Sequence, residues 1–266
     1  WAWRPERALK LRSQVDGIFG VLPFEEEFFR SYDVPYQYVG SPILERVLRR
    51  KVQTPYKKNS QKKALGFFSG SRRDEFKYLF PIMYKTAREL SYRSRDFEFF
   101  LHKAPSLKTD FICHILKKHH IPFKSSEDST KITLAESGFH FVPSSSLDLM
   151  HHVDFALVAS GTASLECALT QTPCAILYKS SWLNFQISKR LVKLPYIGLP
   201  NLIAEKKIIP EFIQNLDPKK LSSHILSSFQ PQKALQTQKD LADLRKILKT
   251  GAPQNIAQLL SKAHIK

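Results

Sequence analysis

Cysteine is scarce in this 266-residue sequence, which contains three cysteines, 24 acidic residues and 41 basic residues. Cys113, Cys167 and Cys174 show none of the Cys-x-x-Cys spacings that are typical of zinc sites and redox motifs. All three fall in segments expected to be core helix or strand. The sequence therefore predicts free thiols, as in a reducing cytoplasm, and argues against a structural zinc site.

Long hydrophobic runs are also missing. No apolar segment approaches the roughly 18 residues of a membrane-spanning helix, and no signal peptide is visible. Internal repeats and low-complexity segments are absent from the sequence as well. At 266 residues, the chain is long enough for one complete globular domain and part of another.

The shortage of acidic residues gives the chain a formal net charge of +17. Such a surface attracts phosphates, but the charge alone does not identify whose phosphates they are. Nucleic acid, an anionic membrane and a nucleotide-linked substrate all fit, and a lysine-rich proteome is the plain alternative. Three histidines between 114 and 120 lack the spacing of zinc ligands on one helix face, so we interpret them as surface residues.

Short apolar segments alternate with helical patterns along most of the chain, which is typical of an α/β fold. The clearest unit runs from a predicted buried strand at 154–159, through a turn at 160–162 and a helix at 163–169, to a second strand at 173–178. This order predicts a βαβ unit in a parallel sheet. The helix then begins at the carboxyl edge of the sheet, where open α/β sheets bind ligands.

The turn of this unit is Ser160-Gly161-Thr162. A helix N-terminus offers unpaired N–H groups and the positive end of its dipole, so this turn is a candidate phosphate site. Glu166 lies about one turn inside the helix, where a carboxylate could reach a ribose or sugar hydroxyl. The alternative is a glycine turn that only redirects the chain.

A second glycine turn follows the apolar run at 64–68 and contains Gly70, Ser71 and Arg72. Arginine makes bidentate, permanently charged contacts with phosphate, so Arg72 is a candidate clamp for a diphosphate. In the alternative interpretation, Arg72 or its neighbour Arg73 forms a surface ion pair with a nearby acid, Asp74 or Glu75.

Three further candidates lie late in the chain. Asn201 is expected in a proline-framed turn and Glu211 at a helix start just after a proline, with Gln214 three residues beyond. Each could contact a ligand, and Asn201 and Glu211 could equally be plain helix caps.

We predict four parts along the chain. Residues 1–42 are the end of a truncated N-terminal domain, because their β-α-β rhythm lacks an upstream partner and the chain does not begin with methionine. Residues 43–62 are a basic linker; a nucleic-acid patch is less favoured there because Tyr56 is its only interleaved aromatic residue. Residues 63–230 are the ligand-binding domain, and 231–266 form helices that pack back across the boundary.

Taken together, these segments resemble lipid A disaccharide synthase, a family of nucleotide-sugar glycosyltransferases with two Rossmann-like domains of the GT-B type. The order and spacing of the motifs make the resemblance specific, and it covers nearly the whole chain. It rests on residues 1–5, 21–25, 38–42, 69–72, 160–166, 189–193 and 199–203, and on Pro210, Glu211 and Gln214.

The resemblance implies transfer of 2,3-diacylglucosamine from UDP to 2,3-diacylglucosamine 1-phosphate, giving the β-1,6 disaccharide of lipid A. Arg72, with Gly70 and Ser71, and the turn at 160–162 would hold the diphosphate, and Arg72 would stabilise the charge on the leaving UDP. Glu166 would bind the ribose, while Asn201, Glu211 and Gln214 would line the uridine or sugar side.

The resemblance also implies a setting for the protein. The protein would need no metal and no cofactor. It would lie against the anionic cytoplasmic face of an inner membrane in a Gram-negative-type bacterium, and it could form a homodimer. The general base would lie in a part upstream of Trp1, so this chain alone would be incomplete for catalysis. Another UDP-sugar transferase or epimerase of the same fold and a basic RNA-binding module remain the alternatives, although no RNA motif is recognisable.

Two positions depart from the family pattern. The family usually has proline before its Gly-Ser-Arg turn, where this chain has Ser69, and histidine at the domain junction, where this chain has Ser41. These departures suggest a looser phosphate loop and leave the role of that histidine without a counterpart.

Overall fold

The structure, a computed structural model, describes residues 5–53, 61–125, 132–134, 139–142, 145–182, 185–186 and 194–263. The strands in the described residues are β1 (Ile18–Gly20), β2 (Tyr36–Tyr38), β3 (Lys63–Phe68), β4 (Phe97–His102), β5 (Phe123–Ser125), β6 (Ile132–Leu134), β7 (Phe139–Val142), β8 (Phe155–Ala159), β9 (Cys174–Tyr178) and β10 (Glu211–Ile213).

The helices alternate with these strands along most of the chain. They are α1 (Arg7–Arg12), α2 (Glu25–Arg30), α3 (Pro42–Arg49), α4 (Arg73–Arg93), α5 (Thr109–Lys118), α6 (Ser146–His152), α7 (Thr162–Leu169), α8 (Leu199–Ala204), α9 (Pro218–Ser228), α10 (Pro231–Ile247) and α11 (Ala252–Ala263).

Six strands form the central sheet in the order β10-β9-β8-β3-β4-β7, and every neighbouring pair is parallel. Side chains alternate between its two faces: in β8, Leu157 packs into one core cluster and Ala156 and Val158 into the other. Burial on both faces explains the continuous apolar runs in the sequence. The predicted α/β class, a parallel sheet with helices on both faces, is confirmed.

The helices divide between the two faces. Helices α4, α5 and α9 contribute to the first core cluster, and α3, α6, α7, α8 and α10 to the second. β1 and β2 form a separate two-stranded parallel sheet near the N-terminus, and β5 and β6 form an antiparallel pair that the sequence patterns had not indicated.

The prediction that Glu211 lies at a helix start is wrong, because it is the first residue of edge strand β10. Glu211 is paired with Ile176 of β9, and the preceding Pro210 accepts a hydrogen bond from Ile176 N at 2.9 Å. A proline directly before an edge strand costs no ladder bond, so the sequence signal for a helix N-terminus was equally compatible with a strand. Asn201 likewise lies inside helix α8 and not in a turn.

The segment after α10 is bonded to the junction before α3. Ser41 N donates to Lys249 O at 2.8 Å, and Glu45 Oε1 accepts from the N–H groups of Gly251 at 2.6 Å and Ala252 at 2.9 Å. Ser41 also caps α3, accepting from Leu44 N at 3.3 Å. These bonds hold the C-terminal helices against the segment that leads into the central sheet.

Candidate functional site

A cleft of about 490 Å³ opens at the carboxyl edge of the central sheet, where β3, β4 and β8 end side by side. Ligands bind at this edge in open α/β sheets. The cleft is lined by Phe68, Gly70, Ser71, Arg72, Glu75, His102, Ala104, Ser146, Ala159, Ser160, Gly161, Thr162, Ala163, Glu166, Ile197 and Leu199. Seven of the ten predicted site residues are in this set.

The turn between β8 and α7 places a helix start at the cleft. Gly161 has φ 140° and ψ −155°, a backbone conformation essentially restricted to glycine. Ser160 Oγ donates to Ile197 O at 2.9 Å, which fixes the turn to the opposite wall. Because the first N–H groups of a helix have no partner within it, the start of α7 at Thr162 presents hydrogen-bond donors to the cleft.

The turn between β3 and α4 faces it. Gly70 has φ 94° and the Glu75 carboxylate occupies the space that a side chain would need there. Glu75 Oε2 accepts from Arg72 N at 3.3 Å, and Ser106 Oγ donates to Ser71 O at 2.6 Å. These bonds hold the turn in place and leave the Arg72 side chain to project outward.

The Arg72 guanidinium lines the cleft and also pairs with Glu75, with 3.3 Å between Nη1 and Oε1. The surface ion pair that the sequence offered as an alternative is therefore present. The Arg72 side chain is 82% exposed, and exposed pairs contribute at most about 1 kcal/mol, so a phosphate could displace Glu75. Arg73 lies over the Phe111 ring, with its guanidinium carbon 4.6 Å from the ring centroid.

Glu166 is the most buried charged group of the cleft, with its side chain 8% exposed. One carboxylate oxygen, Oε1, contacts the Arg46 guanidinium from α3. The other, Oε2, accepts from Ser146 Oγ at 3.2 Å. The carboxylate is thus held between a cation and a hydroxyl while it faces the cleft.

Asn201 and Glu211 lie behind the cleft and do not line it. Asn201 is fully buried; its Oδ1 accepts from Ile208 N and Ile209 N, both at 2.9 Å, and its Nδ2 donates to Glu211 Oε1 at 2.8 Å. Glu211 in turn accepts from Ile197 N at 3.1 Å and Gly198 N at 2.9 Å. The pair therefore orients the segment whose Ile197 carbonyl anchors Ser160.

Gln214 also lies outside the cleft lining. Its Oε1 accepts from Ser180 N at 3.2 Å and its Nε2 donates to Ser180 O at 3.0 Å. This pair of bonds ties the end of β10 to the segment after β9, as an extension of the sheet.

Several residues that line the cleft were not predicted as site residues from the sequence, among them His102 and Ser146. His102 is the last residue of β4 and stacks on Phe68, the last residue of β3, with 5.7 Å between ring centroids. Adjacent parallel strands end at the same edge of a sheet, so the order of the strands would have indicated that His102 lies at the cleft. That order is set by the tertiary structure and cannot be read from a local sequence pattern. Ser146 is the first residue of α6 and lies in a run of three serines, a pattern that indicates only a helix start.

Ser69, which stands where the family usually has proline, is 1% exposed. Its Oγ has no hydrogen-bond partner within the part of the chain that the structure describes. A buried hydroxyl without a partner costs free energy, so the β3–α4 turn contains a small unfavourable element that proline would not contain.

The sequence motif at 189–193 lies outside the described residues, as do residues 1–4 and much of the predicted linker, 54–60. None of the helices described is long and apolar enough to cross a membrane.

Solved structures with a similar backbone fold define the fold class of the chain. The chain superposes on a candidate UDP-N-acetylglucosamine 2-epimerase from Listeria monocytogenes with a TM-score of 0.62 and 12% identity, over 96% of this chain and 60% of that one. A trehalose-6-phosphate synthase gives a TM-score of 0.52 and 9% identity over 88% of this chain and 52% of that one. The fold is that of the GT-B glycosyltransferases.

Sequence comparison gives the family. The family model described as lipid-A-disaccharide synthetase matches residues 1–263. The lipid-A-disaccharide synthase of Trichlorobacter lovleyi is 34% identical over 230 residues, which are 85% of this chain and 56% of that protein. The synthase of Persephonella marina is 32% identical over 273 residues, 98% of this chain and 69% of that protein. The chain belongs to the lipid-A-disaccharide synthetase family and spans 56% of the first of these relatives.

Proposed function

We propose that this chain supplies the UDP-sugar-binding portion of a lipid-A-disaccharide synthase. The donor would be UDP-2,3-diacylglucosamine, the acceptor 2,3-diacylglucosamine 1-phosphate, and the products UDP and the β-1,6-linked disaccharide 1-phosphate. The observation that carries the proposal is the cleft at the sheet edge, where Arg72 and the start of α7 face one another. Membership of the lipid-A-disaccharide synthetase family supports this choice of donor sugar and acceptor.

The diphosphate of the donor fits between the two glycine turns. Backbone N–H groups at the start of α7 would donate to the phosphate oxygens, and the helix dipole favours negative charge there. Arg72 would leave Glu75 and form a bidentate contact with the same group. Glu166, buried one turn further along α7, would accept hydrogen bonds from the ribose hydroxyls.

In the reaction, the bond between the anomeric carbon and the β-phosphate oxygen breaks as the acceptor hydroxyl forms the new glycosidic bond and gives up its proton to a general base. Negative charge then grows on the departing UDP. Arg72 and the N-terminus of α7 are fixed donors aimed at that charge, so they would stabilise the transition state more than the ground state. Asn201, Glu211 and Gln214 would act behind them, by holding the loops that form the walls.

The net charge of +17 fits a protein that works on phosphorylated lipids at an anionic membrane surface. Trp182, which is 70% exposed, lies three residues after Lys179 on the segment after β9. An exposed aromatic residue near a basic one is suited to an interfacial contact. Equal binding to neutral and anionic liposomes would contradict this part of the proposal.

Calorimetric titration of the 266-residue chain tests the donor site. The ligands are UDP, UDP-2,3-diacylglucosamine and UDP-N-acetylglucosamine. GDP is the control for recognition of the uracil base. We expect saturable binding of UDP, tighter binding of the diacylated conjugate because its acyl chains bury apolar surface, and weak binding of GDP.

The proposal fails if a chain with a cooperative thermal transition binds no UDP. Turnover of UDP-N-acetylglucosamine without any lipid would favour an epimerase or a soluble transferase instead. Binding of RNA with a steep salt dependence, in the absence of UDP binding, would favour the nucleic-acid alternative.

A further inference from the structure

Helix α3 presents two arginines, one turn apart, to two buried carboxylates. Arg46 contacts Glu166 of α7, and Arg50, the residue after the helix, binds Asp148 of α6. Their partner helices, α6 and α7, both contribute to the second core cluster, so both guanidinium groups face the same layer of the domain. Glu166 and Asp148 are 8% and 5% exposed, respectively.

The position of α3 is fixed by the core, so the reach of Arg46 is set by packing. Leu44 and Val47 of α3 are buried in the same cluster as Leu165 and Ala168 of α7. The Ser41 cap fixes the start of the helix. Because α3 and α7 pack in one layer, the Arg46 guanidinium contacts one particular carboxylate oxygen of Glu166, Oε1.

The two pairs differ in what else the carboxylate does. Asp148 accepts three hydrogen bonds: from Arg50 Nε at 3.1 Å, from Arg50 Nη2 at 2.5 Å and from Gln53 N at 3.2 Å. The hydrogen bonds from Arg50 lower the pKa of Asp148. Asp148 does not line the cleft, whereas Glu166 does.

Glu166 keeps acceptor capacity on both oxygens. A carboxylate has about four lone-pair directions; Arg46 pairs with Oε1, and Ser146 donates to Oε2. Within the part of the chain that the structure describes, one direction therefore remains on each oxygen. Two adjacent acceptors match the two hydroxyls of a vicinal diol.

We infer that Arg46 is a positioning residue that holds the Glu166 carboxylate in the orientation that accepts both hydroxyls of a ribose diol. The inference rests on the proposed uridine-nucleotide site and adds a residue from outside the cleft, since Arg46 does not line it. Without its cation, a carboxylate this buried either takes up a proton or turns toward another donor. In either state it no longer offers two acceptors to the diol.

The readout is a ratio of affinities, which a general loss of stability does not change. UDP and 2′-deoxy-UDP are titrated into the wild-type chain and into Arg46→Gln, Arg46→Lys and Arg50→Gln. Wild type should prefer UDP by roughly ten- to a hundredfold, as expected for a hydroxyl bound to a charged acceptor. Arg50→Gln is the matched control, one helical turn away on a pair outside the cleft.

We expect Arg46→Gln to bring the preference down to about threefold or less, and Arg46→Lys to restore most of it, because lysine keeps the charge. Arg50→Gln should lower the melting temperature and leave the preference at its wild-type value. An unchanged preference in Arg46→Gln would overturn the inference while leaving UDP binding intact. Tighter UDP binding by Arg46→Gln would also overturn it, since Arg46 would then compete with the ribose. A wild-type chain that binds no UDP would overturn the proposed function and this inference together.

Discussion

The two turns that face each other across the cleft have nearly the same sequence, Ser69-Gly70-Ser71 and Ser160-Gly161-Thr162. Both follow a buried strand of the central sheet and both contain a glycine with positive φ. They differ in the helix that follows. Helix α4 has 21 residues and starts with exposed charged side chains, whereas α7 has eight residues, of which six are buried.

Under the proposed function, the two turns would bind a phosphate in different ways. The turn before α4 would supply charge, through Arg72, whose exposed ion pair with Glu75 a ligand could displace. The turn before α7 would supply fixed backbone donors, because it is held by Ser160 and by the burial of the helix. The start of α7 would therefore contact a phosphate mainly through backbone N–H groups and not through side chains.

Arg72→Ala tests the charged turn and should have the largest effect. Hydrogen bonds to charged groups contribute about 1.5–3 kcal/mol, so UDP affinity should fall roughly ten- to a hundredfold. Calorimetry measures the change. The control is Arg73→Ala, because Arg73 stacks on Phe111 away from the cleft; equal losses in both variants would show that only the overall charge matters.

Gly161→Ala tests the backbone turn. No atom of the described residues lies within 4 Å of the added Cβ, so the cost comes from φ and should be about 1–3 kcal/mol of unfolding free energy. Urea unfolding measures it, and UDP affinity should fall as the turn relaxes. Gly17→Ala is the control, because a Cβ there meets its nearest atom at an ordinary 3.6 Å. Full stability in Gly161→Ala would mean that the turn is not held rigidly.

The two serines that open the turns should respond in opposite directions. Ser160→Ala removes a bond to Ile197 O and should cost about 0.5–1.5 kcal/mol of unfolding free energy. Ser69→Ala removes a buried hydroxyl without a partner in the described chain and should be neutral or slightly stabilising. Chemical denaturation compares them. Equal destabilisation would contradict the assigned difference between the turns.

Glu75→Gln should have the smallest effect and the opposite sign on affinity. Glutamine keeps an acceptor for Arg72 N and removes the charge that pairs with Arg72 in the absence of ligand. Since exposed ion pairs contribute about 0.2–1 kcal/mol, UDP binding should tighten about two- to fivefold at low salt. Asp74→Asn, a neighbouring change outside the cleft lining, is the control. Weaker binding by Glu75→Gln would mean that Glu75 orients Arg72 for the ligand.

Local patterns predicted most of the elements that build the site. The strands at β3, β8 and β9 have apolar runs bounded by glycine or proline, and each period-2 face is buried as a parallel sheet requires. Both glycine turns were predicted from the sequence alone. Glu211 was misassigned because three residues of edge strand after a proline have no local pattern that distinguishes them from a helix start.

The sequence by itself determined the α/β class, the two glycine turns, Arg72 and Glu166 as candidates, and the resemblance that led to the family. These features depend on residues close together in the chain, where spacing and backbone preference act directly. Only the tertiary structure decided that Arg46 would reach Glu166 across 120 positions, and that His102 would lie beside Phe68. It also decided that Asn201 and Glu211 would bind each other behind the wall. Those relations follow from strand order and helix packing, which bring together side chains that no local pattern connects.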